Sequence, residues 1–326
     1  VQPTALVTNF YDYMIGSYNG LPLRVIPTDA GGGYFATYHA RRQATSTRRV
    51  FYTYIDATGT VQNNNEITET QIHEGFSSMD IDPVSAKPLY AWHANGDADT
   101  NTETLFTADA FMSGIPGLFL PPQIIGDAPT VIDPPSFPPS SDNEFIWPTL
   151  VIGPSPVAGM RRAYVCMRNY VTHSSAPSEN PYIAWADFNG TMIEEGFPVL
   201  VWNHISIPAM DDWNNDTVNW RRPFMAIAAD DNGSIYYAGY HFAQDGDDVA
   251  IDEPDLDVFK CDNYGQGTWT HVGRYSNLST WNPDTSATDP TGYFANDSGV
   301  AYADEDLSWN IANSSHLNAV FDDNGK

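Results

Sequence analysis

The chain has 326 residues, 42% of them hydrophobic, and sets 41 acidic residues against 14 Lys and Arg, for a formal net charge of −27. No run of about eighteen apolar residues occurs, which argues against membrane insertion. So acidic a surface repels phosphate backbones and anionic membranes, which argues against nucleic acid as a partner.

The abundant aromatics (Tyr 18, Phe 16, Trp 9), with Gly and Pro at 24 each, favour many short strands and turns over helices. Length alone allows about two domains, but all-β architectures often use this much chain for one. The acidic surface suits a secreted or cell-surface protein, one holding divalent cations, or a high-salt habitat. No charged-then-apolar leader precedes Val1, so the expectation is that any signal peptide was removed or never present. Cys166 and Cys261 allow one pair, and the count does not separate a reducing compartment from a single secreted disulfide.

In chain order, the strand-like "PTALVTNFYDYM" (Pro3 to Met14) precedes the first of several similar segments, "LPLRVIPTDAGGGYFATYHARR" from Leu21. The others are "FSSMDIDPVSAKPLYAWHAN" from Phe76, "WPTLVIGPSPVAGMRRAYVCMRN" from Trp147 and "PFMAIAADDNGSIYYAGYHF" from Pro223. Each has a short alternating apolar strand, a turn containing Asp, Gly, Pro or Ser, and an aromatic strand returning. Period-two alternation marks strands with one face buried, and the turn residues supply the positive φ a hairpin needs.

A second hairpin type lies between them: "VFYTYIDATGTV" (Val50 to Val61), "YIAWADFNGTMI" (Tyr182 to Ile193) and "VFKCDNYGQGTWTHV" (Val258 to Val272), with "TLFTADAFMSGI" (Thr104 to Ile115) as a degenerate copy. The Pro-rich run 120–143 reads as a loop insertion, because the repeat continues on both sides, and Ser276 to Asn313 reads as irregular. A fifth copy, "SHLNAVFDDNGK" from Ser315, shows only a first strand and its turn.

Four-stranded units that cannot bury their own faces do so by stacking around an axis. The expectation is an all-β fold, a β-propeller of four-stranded antiparallel blades forming one domain over 1–326. Its blades begin near 21, 76, 147, 223 and 315. The ring is expected to continue beyond Lys326; the alternative is closure within the chain, with Pro3 to Met14 completing the last blade.

The pattern of apolar strand, D-x-x-G and a returning strand ending in Tyr or Trp resembles sialidase-like propellers with Asp-box (BNR-type) repeats. "CDNYGQGTWTHV", with Asp262, Gly267 and Trp269, comes nearest. It lacks the hydroxyl residue two before the Asp and carries extra residues before Gly-Thr, and the copies around Asp56 and Asp187 lack the closing Trp. The resemblance implies the fold. It also implies three arginines on a substrate carboxylate, a tyrosine–glutamate pair and an acid, but no segment here matches those motifs and Arg24 stands alone, so activity is not carried over.

Eight of the arginines fall in four adjacent pairs, Arg41-Arg42, Arg48-Arg49, Arg161-Arg162 and Arg221-Arg222, all at strand ends. If they converged on one rim, Arg41, Arg161 and Arg221 would bind an acidic sugar or carboxylate by bidentate hydrogen bonds. The alternative is pairing with nearby Asp and Glu, since strand neighbours point to opposite faces. His39, His93 and His241 occupy matching repeat positions. They are expected to bond the next blade's loop rather than a metal, because the first strand, not the second, lines a propeller axis.

Asp97, Asp99, Asn101 and Glu103, at alternate positions in "NGDADTNTET", have an oxygen-rich spacing that calcium loops use, without the central Gly or distal Glu of an EF-hand. The acidic runs Asp245 to Asp257 and Met210 to Thr217 read as solvated loops. The carboxylate pairs Glu194-Glu195 and Asp211-Asp212 define no catalytic spacing. Six Asn-x-Ser/Thr sequons begin at Asn189, Asn215, Asn232, Asn277, Asn296 and Asn313.

Three functions remain. The first is a secreted, non-enzymatic propeller binding a glycan or protein ligand, or copies of itself. The second is a subunit of an extracellular filament or surface layer, built by strand addition. The third is a sialidase-like glycoside hydrolase.

Overall fold

The computed structural model describes residues 3–11, 20–68, 72–96, 101–111, 115–127, 143–171, 181–194, 200–213, 225–241 and 255–274, with 319 and 321. They form four antiparallel four-stranded sheets, each in simple sequence order. Blade 1 is β1 (Leu23–Val25), β2 (Tyr34–Ala40), β3 (Arg49–Ile55) and β4 (Val61–Glu66). Blade 2 is β5 (Glu74–Ile81), β6 (Pro88–Ala94), β7 (Glu103–Ala108) and β8 (Gln123–Gly126). Blade 3 is β9 (Asn143–Pro154), β10 (Arg161–Val171), β11 (Pro181–Phe188) and β12 (Asn203–Ser206). Blade 4 is β13 (Met225–Ala229), β14 (Ile235–His241), β15 (Asp255–Cys261) and β16 (Trp269–Arg274).

First strands pack on first strands in the order β1, β5, β9, β13, so they line the common axis. One apolar core lies between each neighbouring pair of blades. Phe35, Val50 and Tyr52 meet Met79, Tyr90 and Trp92 between blades 1 and 2. Leu89 and Phe106 meet Ala163 and Val165 between blades 2 and 3. Tyr164 and Ile183 meet Ile227 and Tyr237 between blades 3 and 4. This is the radial stacking of a β-propeller, which is the expected fold; the four sheets open at Leu23, Glu74, Asn143 and Met225. The start near 315 lies outside the described residues, apart from Ala319 and Phe321.

Several local expectations are corrected. The second hairpin of blade 2 does not return within Thr104 to Ile115. The chain makes an excursion in which Asp109 pairs with Phe119, and it re-enters the sheet at Gln123–Gly126, inside the stretch expected to be loop. In blade 3 the Asn189–Thr191 turn instead opens a short helix, α1 (Gly190–Glu194), because Asn189 Oδ1 accepts the Met192 amide at 2.9 Å. A second short helix, α2 (Pro208–Trp213), follows β12. The N-terminal segment forms no strand over 3–11; Leu6 and Val7 pack against Tyr38 and Phe51 of blade 1. Cys166 and Cys261 are both free and buried in the core between blades 3 and 4.

The D-x-x-G turns form as the sequence implies. Asp56 Oδ1 accepts the amides of Thr58 and Thr60 at 2.9 and 3.0 Å, and Gly59 follows at φ 84°. Asp230 does the same for Asn232 and Ser234, at 2.9 and 2.7 Å, with Gly233 at φ 87°. These turns sit at one end of the ring. The opposite end, where the chain enters each blade, carries the connections from second to third strands and from fourth to first.

Candidate functional site

The entry end is assembled by one device used repeatedly. Leu21, Phe76 and Trp147, at the head of blades 1, 2 and 3, take positive φ values of 50°, 54° and 52°. In blades 2 and 3 this coincides with a slip in register, between Gly75 and Ser78 and between Cys166 and Arg168. A bulge of this kind frees an amide from its own sheet. The Phe76 amide donates to His39 Nδ1 of blade 1 at 2.9 Å, and the Trp147 amide donates to His93 Nδ1 of blade 2 at 3.2 Å. The matching histidines therefore clamp each blade to the next, as expected. The His241 side chain lies outside the described residues. Arg168, paired with Ile146, stands in blade 3 where His93 stands opposite Gly75 in blade 2.

Around these clamps gathers a cationic and aromatic cluster. The Arg48 guanidinium lies 4.6 Å from the Phe76 ring centre and 5.0 Å from that of Tyr11, and Arg41 lies 5.5 Å from Tyr11. Arg168 stacks 3.5 Å over Trp147, and the Phe76 ring stands 4.8 Å from His93 and 5.9 Å from Trp147. Arg48 Nη1 donates to the Tyr11 hydroxyl at 2.8 Å, and Arg48 Nε donates to the Glu74 carbonyl.

Burial lowers the proton affinity of His93 well below the usual imidazole value, and the positive charges of Arg48 and Arg168 lower it further. His73 is held down by burial and by Arg48 and Arg41. Burial also lowers the proton affinity of Arg48 itself.

His93 exposes the tension in this cluster. The Trp147 amide can only donate, so Nδ1 accepts and the neutral ring carries its proton on Nε2. Nε2 then faces Arg48 Nη2 at 3.2 Å, and both are donors. Arg41 Nε is buried with no hydrogen-bond partner among the described residues. Neither Arg41 nor Arg48 meets a carboxylate among those residues, although the chain has nearly three acidic groups for each basic one. An acceptor carrying negative charge would satisfy this set of donors.

The nearby acid does not do so. The Glu74 carboxylate is fully buried and engaged by Arg49 Nε at 3.0 Å, by the Thr68 hydroxyl at 2.6 Å and by the Trp92 indole at 3.3 Å.

Of the arginines considered for a shared rim, Arg41 and Arg161 do not lie together. Arg41 follows the end of β2, whereas Arg161 opens β10, the equivalent strand, so the two sit at opposite ends of the ring. Arg161 Nε donates to Asp82 Oδ1 at 2.6 Å, and Arg162 makes a two-pronged pair with Asp187 at 2.8 and 2.7 Å. The two arginines face different partners because strand neighbours alternate. Arg42 and Arg49 pair with Glu66 at 3.6 and 3.5 Å, Arg24 pairs with Asp80 at 2.8 Å, and Arg221 lies outside the described residues.

Of the expected calcium loop, Asp97 and Asp99 lie outside the described residues. Asn101 gives its carbonyl to Asn95 Nδ2 at 3.4 Å, and Glu103 Oε2 accepts the Gly96 amide at 2.7 Å. Among the described residues no three His, Cys, Asp or Glu side chains are grouped to hold a metal. Glu194 pairs with Lys87 at 2.9 Å, and Glu195 lies outside the described residues. Arg48 entered the sequence reading only as a member of an adjacent arginine pair, and His73, Arg168 and Tyr11 were not singled out at all. Of these three only Arg168 carried a usable signal, an arginine at the histidine's place in the repeat.

No protein-family model matches the sequence, and no curated protein matches it. Solved structures of similar fold include a Hadza microbial sialidase, 12% identical over 70% of this chain and 45% of that one, with a TM-score of 0.37. An endo-arabinase from Bacteroides thetaiotaomicron is 10% identical over 80% of this chain and 82% of that one, with a TM-score of 0.41. An α-L-arabinanase from Penicillium chrysogenum is 11% identical over 82% and 84%, with a TM-score of 0.41. This chain spans less than half the length of the sialidase. The protein is a β-propeller on the evidence of its own sheets. Among the described residues no helix is long and apolar enough to cross a membrane.

Proposed function

We propose that this protein is a secreted, non-enzymatic propeller that binds a carboxylate-bearing ligand, such as an acidic glycan, at its entry end. The observation that carries this reading is the pair of arginines, Arg41 and Arg48, without carboxylate partners among the described residues of a chain of net charge −27. Tyr11 and Trp147, both partly exposed, supply the apolar faces on which a sugar ring stacks, and the buried Phe76 ring backs Trp147. The alternative of a glycoside hydrolase needs a free acid beside the ligand, and the carboxylate beside this cluster, Glu74, is held by four donors.

Titration calorimetry with sialic or uronic acids and their neutral analogues tests this. Binding of the acids alone, weakening as salt is raised, is the expected result. Equal binding of neutral and acidic sugars, or no binding, discards it. Release of product from an aryl glycoside would move the assignment to the hydrolase.

The same reading places calcium at Asp97, Asp99, Asn101 and Glu103, bracing the loop beside this end. Melting temperature rises with added calcium if so, and is unmoved by calcium or chelator if not.

A further inference from the structure

Blade 2 departs from the repeat at its outer hairpin, and the departure walls a cavity. Blade 1 turns within residues 56–60, whereas in blade 2 residues 109–122 intervene before β8 begins at Gln123. The detour is pinned along its length. Asp109 is fully buried, and its carboxylate accepts the amides of Phe111 at 3.3 Å and Gly117 at 2.7 Å. Asn63 of blade 1 donates from Nδ2 to the Pro116 carbonyl at 2.8 Å. The Phe119 ring stands edge-on to Tyr52 and Tyr90, at 5.1 and 5.6 Å. Gly117 takes φ 89°, and a Cβ there would meet Asn63 Nδ2 at 2.7 Å, so only glycine passes this point.

Between the detour and the end of β4 lies a cavity of about 580 Å³. Third and fourth strands and their connections line it, and the first strands around the axis do not. Sites for small molecules measure about 300–1,000 Å³ and are mostly apolar, with few polar groups. Here Ile67, Leu105 and Ile124 form an aliphatic floor continuous with the core between blades 1 and 2. Leu118 and Pro122 form an exposed rim.

The polar part of the lining is rich in acceptors and poor in donors. The Thr68 hydroxyl is given to Glu74 at 2.6 Å, and the Gly96 amide to Glu103 at 2.7 Å. The one charged residue of the lining is Glu66. Arg42 and Arg49 stand 3.6 and 3.5 Å from its carboxylate, which accepts no hydrogen bond among the described residues. A ligand carboxylate would face Glu66 with its charge desolvated and unpaired, whereas a hydroxyl or amine would meet an acceptor.

We propose that this cavity binds an apolar small molecule bearing one hydrogen-bond donor, a hydroxyl or an amine. The apolar body rests on Ile67, Leu105 and Ile124, and the donor meets Glu66. The site stands apart from the arginine cluster and takes the opposite ligand chemistry.

The probe N-phenyl-1-naphthylamine, apolar with a single N–H and fluorescent in apolar surroundings, tests this on the full chain. A saturable rise in fluorescence is expected, reversed by decanol or decylamine and not by decanoate; the stronger competitor identifies the donor. Ile124→Trp fills the floor, and Pro122→Asp sets a charge on the exposed rim without touching the core. Each should weaken probe binding at least about fivefold, with the melting temperature of Pro122→Asp unchanged. Glu66→Leu should admit decanoate, and continued exclusion would remove Glu66 from the site. No saturable signal from the parent protein, unchanged binding in Pro122→Asp, or displacement by decanoate as readily as by decanol overturns the proposal.

Discussion

The two ends of the ring treat charge in opposite ways. At the turn end every arginine described has its carboxylate: Arg161 holds Asp82 and Arg162 holds Asp187, while Asp56 and Asp230 are satisfied by their own turns. At the entry end Arg42 and Arg49 are paired with Glu66 and Glu74, but Arg41 and Arg48 stand among aromatic rings and histidines of lowered proton affinity with no carboxylate among the described residues. Paired charge at one end fastens blades. Unpaired charge of one sign, held in place by the clamps, is suited to a ligand of the other sign.

The largest way to break this contrast lies at the turn end. Arg161→Ala leaves the fully buried Asp82 carboxylate without its partner, and a loss of about 3–5 kcal/mol in urea-unfolding stability is expected with ligand affinity unchanged. Should affinity fall in step with stability, the two ends are not independent.

Arg48→Gln is the converse. Affinity for the acidic ligand drops at least about tenfold, equivalent to about 1.4 kcal/mol, while the melting temperature moves far less than for Arg161→Ala. Equal affinity in calorimetry would remove Arg48 from the site.

Acid sharpens the comparison further. Burial first, and then neighbouring cations where present, lower the proton affinities of His73, His93 and His204 in the folded protein. Below the unfolded imidazole value of about 6.5 the unfolded chain binds more protons. Stability is therefore full above that pH and declines as pH falls through 6.5 toward 5. A melting series from pH 7.5 to 5 should show the decline, and His93→Gln, which keeps an acceptor for the Trp147 amide, should flatten it. The carboxylates of the turn end hold far lower: Asp56 is brought down to about 2 by bonds from Thr58, Thr60 and Gln62, so its turn persists until pH nears that value.

The smallest effect is expected for Asp56→Ala. It removes four hydrogen bonds, but in an exposed turn, and its melting temperature should lie closest to the parent's. A drop as large as that of Arg161→Ala would mean the turns, not the inter-blade pairs, hold that end together.

Much of this was legible in the residues. Period-two alternation in "AIAAD" and "YYAGYH" places β13 and β14, because a strand with one buried face must alternate. The Asp-x-x-Gly turns were equally plain, since the capping carboxylate and the positive-φ glycine are local necessities. The matching histidines showed their role as clamps through position in the repeat. Where a loop competes with a local signal, the sequence misleads: Asn189–Thr191 looks like a hairpin turn but opens a helix, and the fourth strand of blade 2 arrives only after an excursion.

The arginines mark the boundary between the two kinds of knowledge. Alternation, turn chemistry and repetition are set by neighbours along the chain, so the sequence alone settled the all-β blades and their order. Whether Arg48 meets a carboxylate or a histidine depends on which strand end the ring brings beside it, and on residues 45 positions apart. Only packing around the axis decides that, because opposite ends of equivalent strands look alike in one dimension and lie a full strand length apart in three.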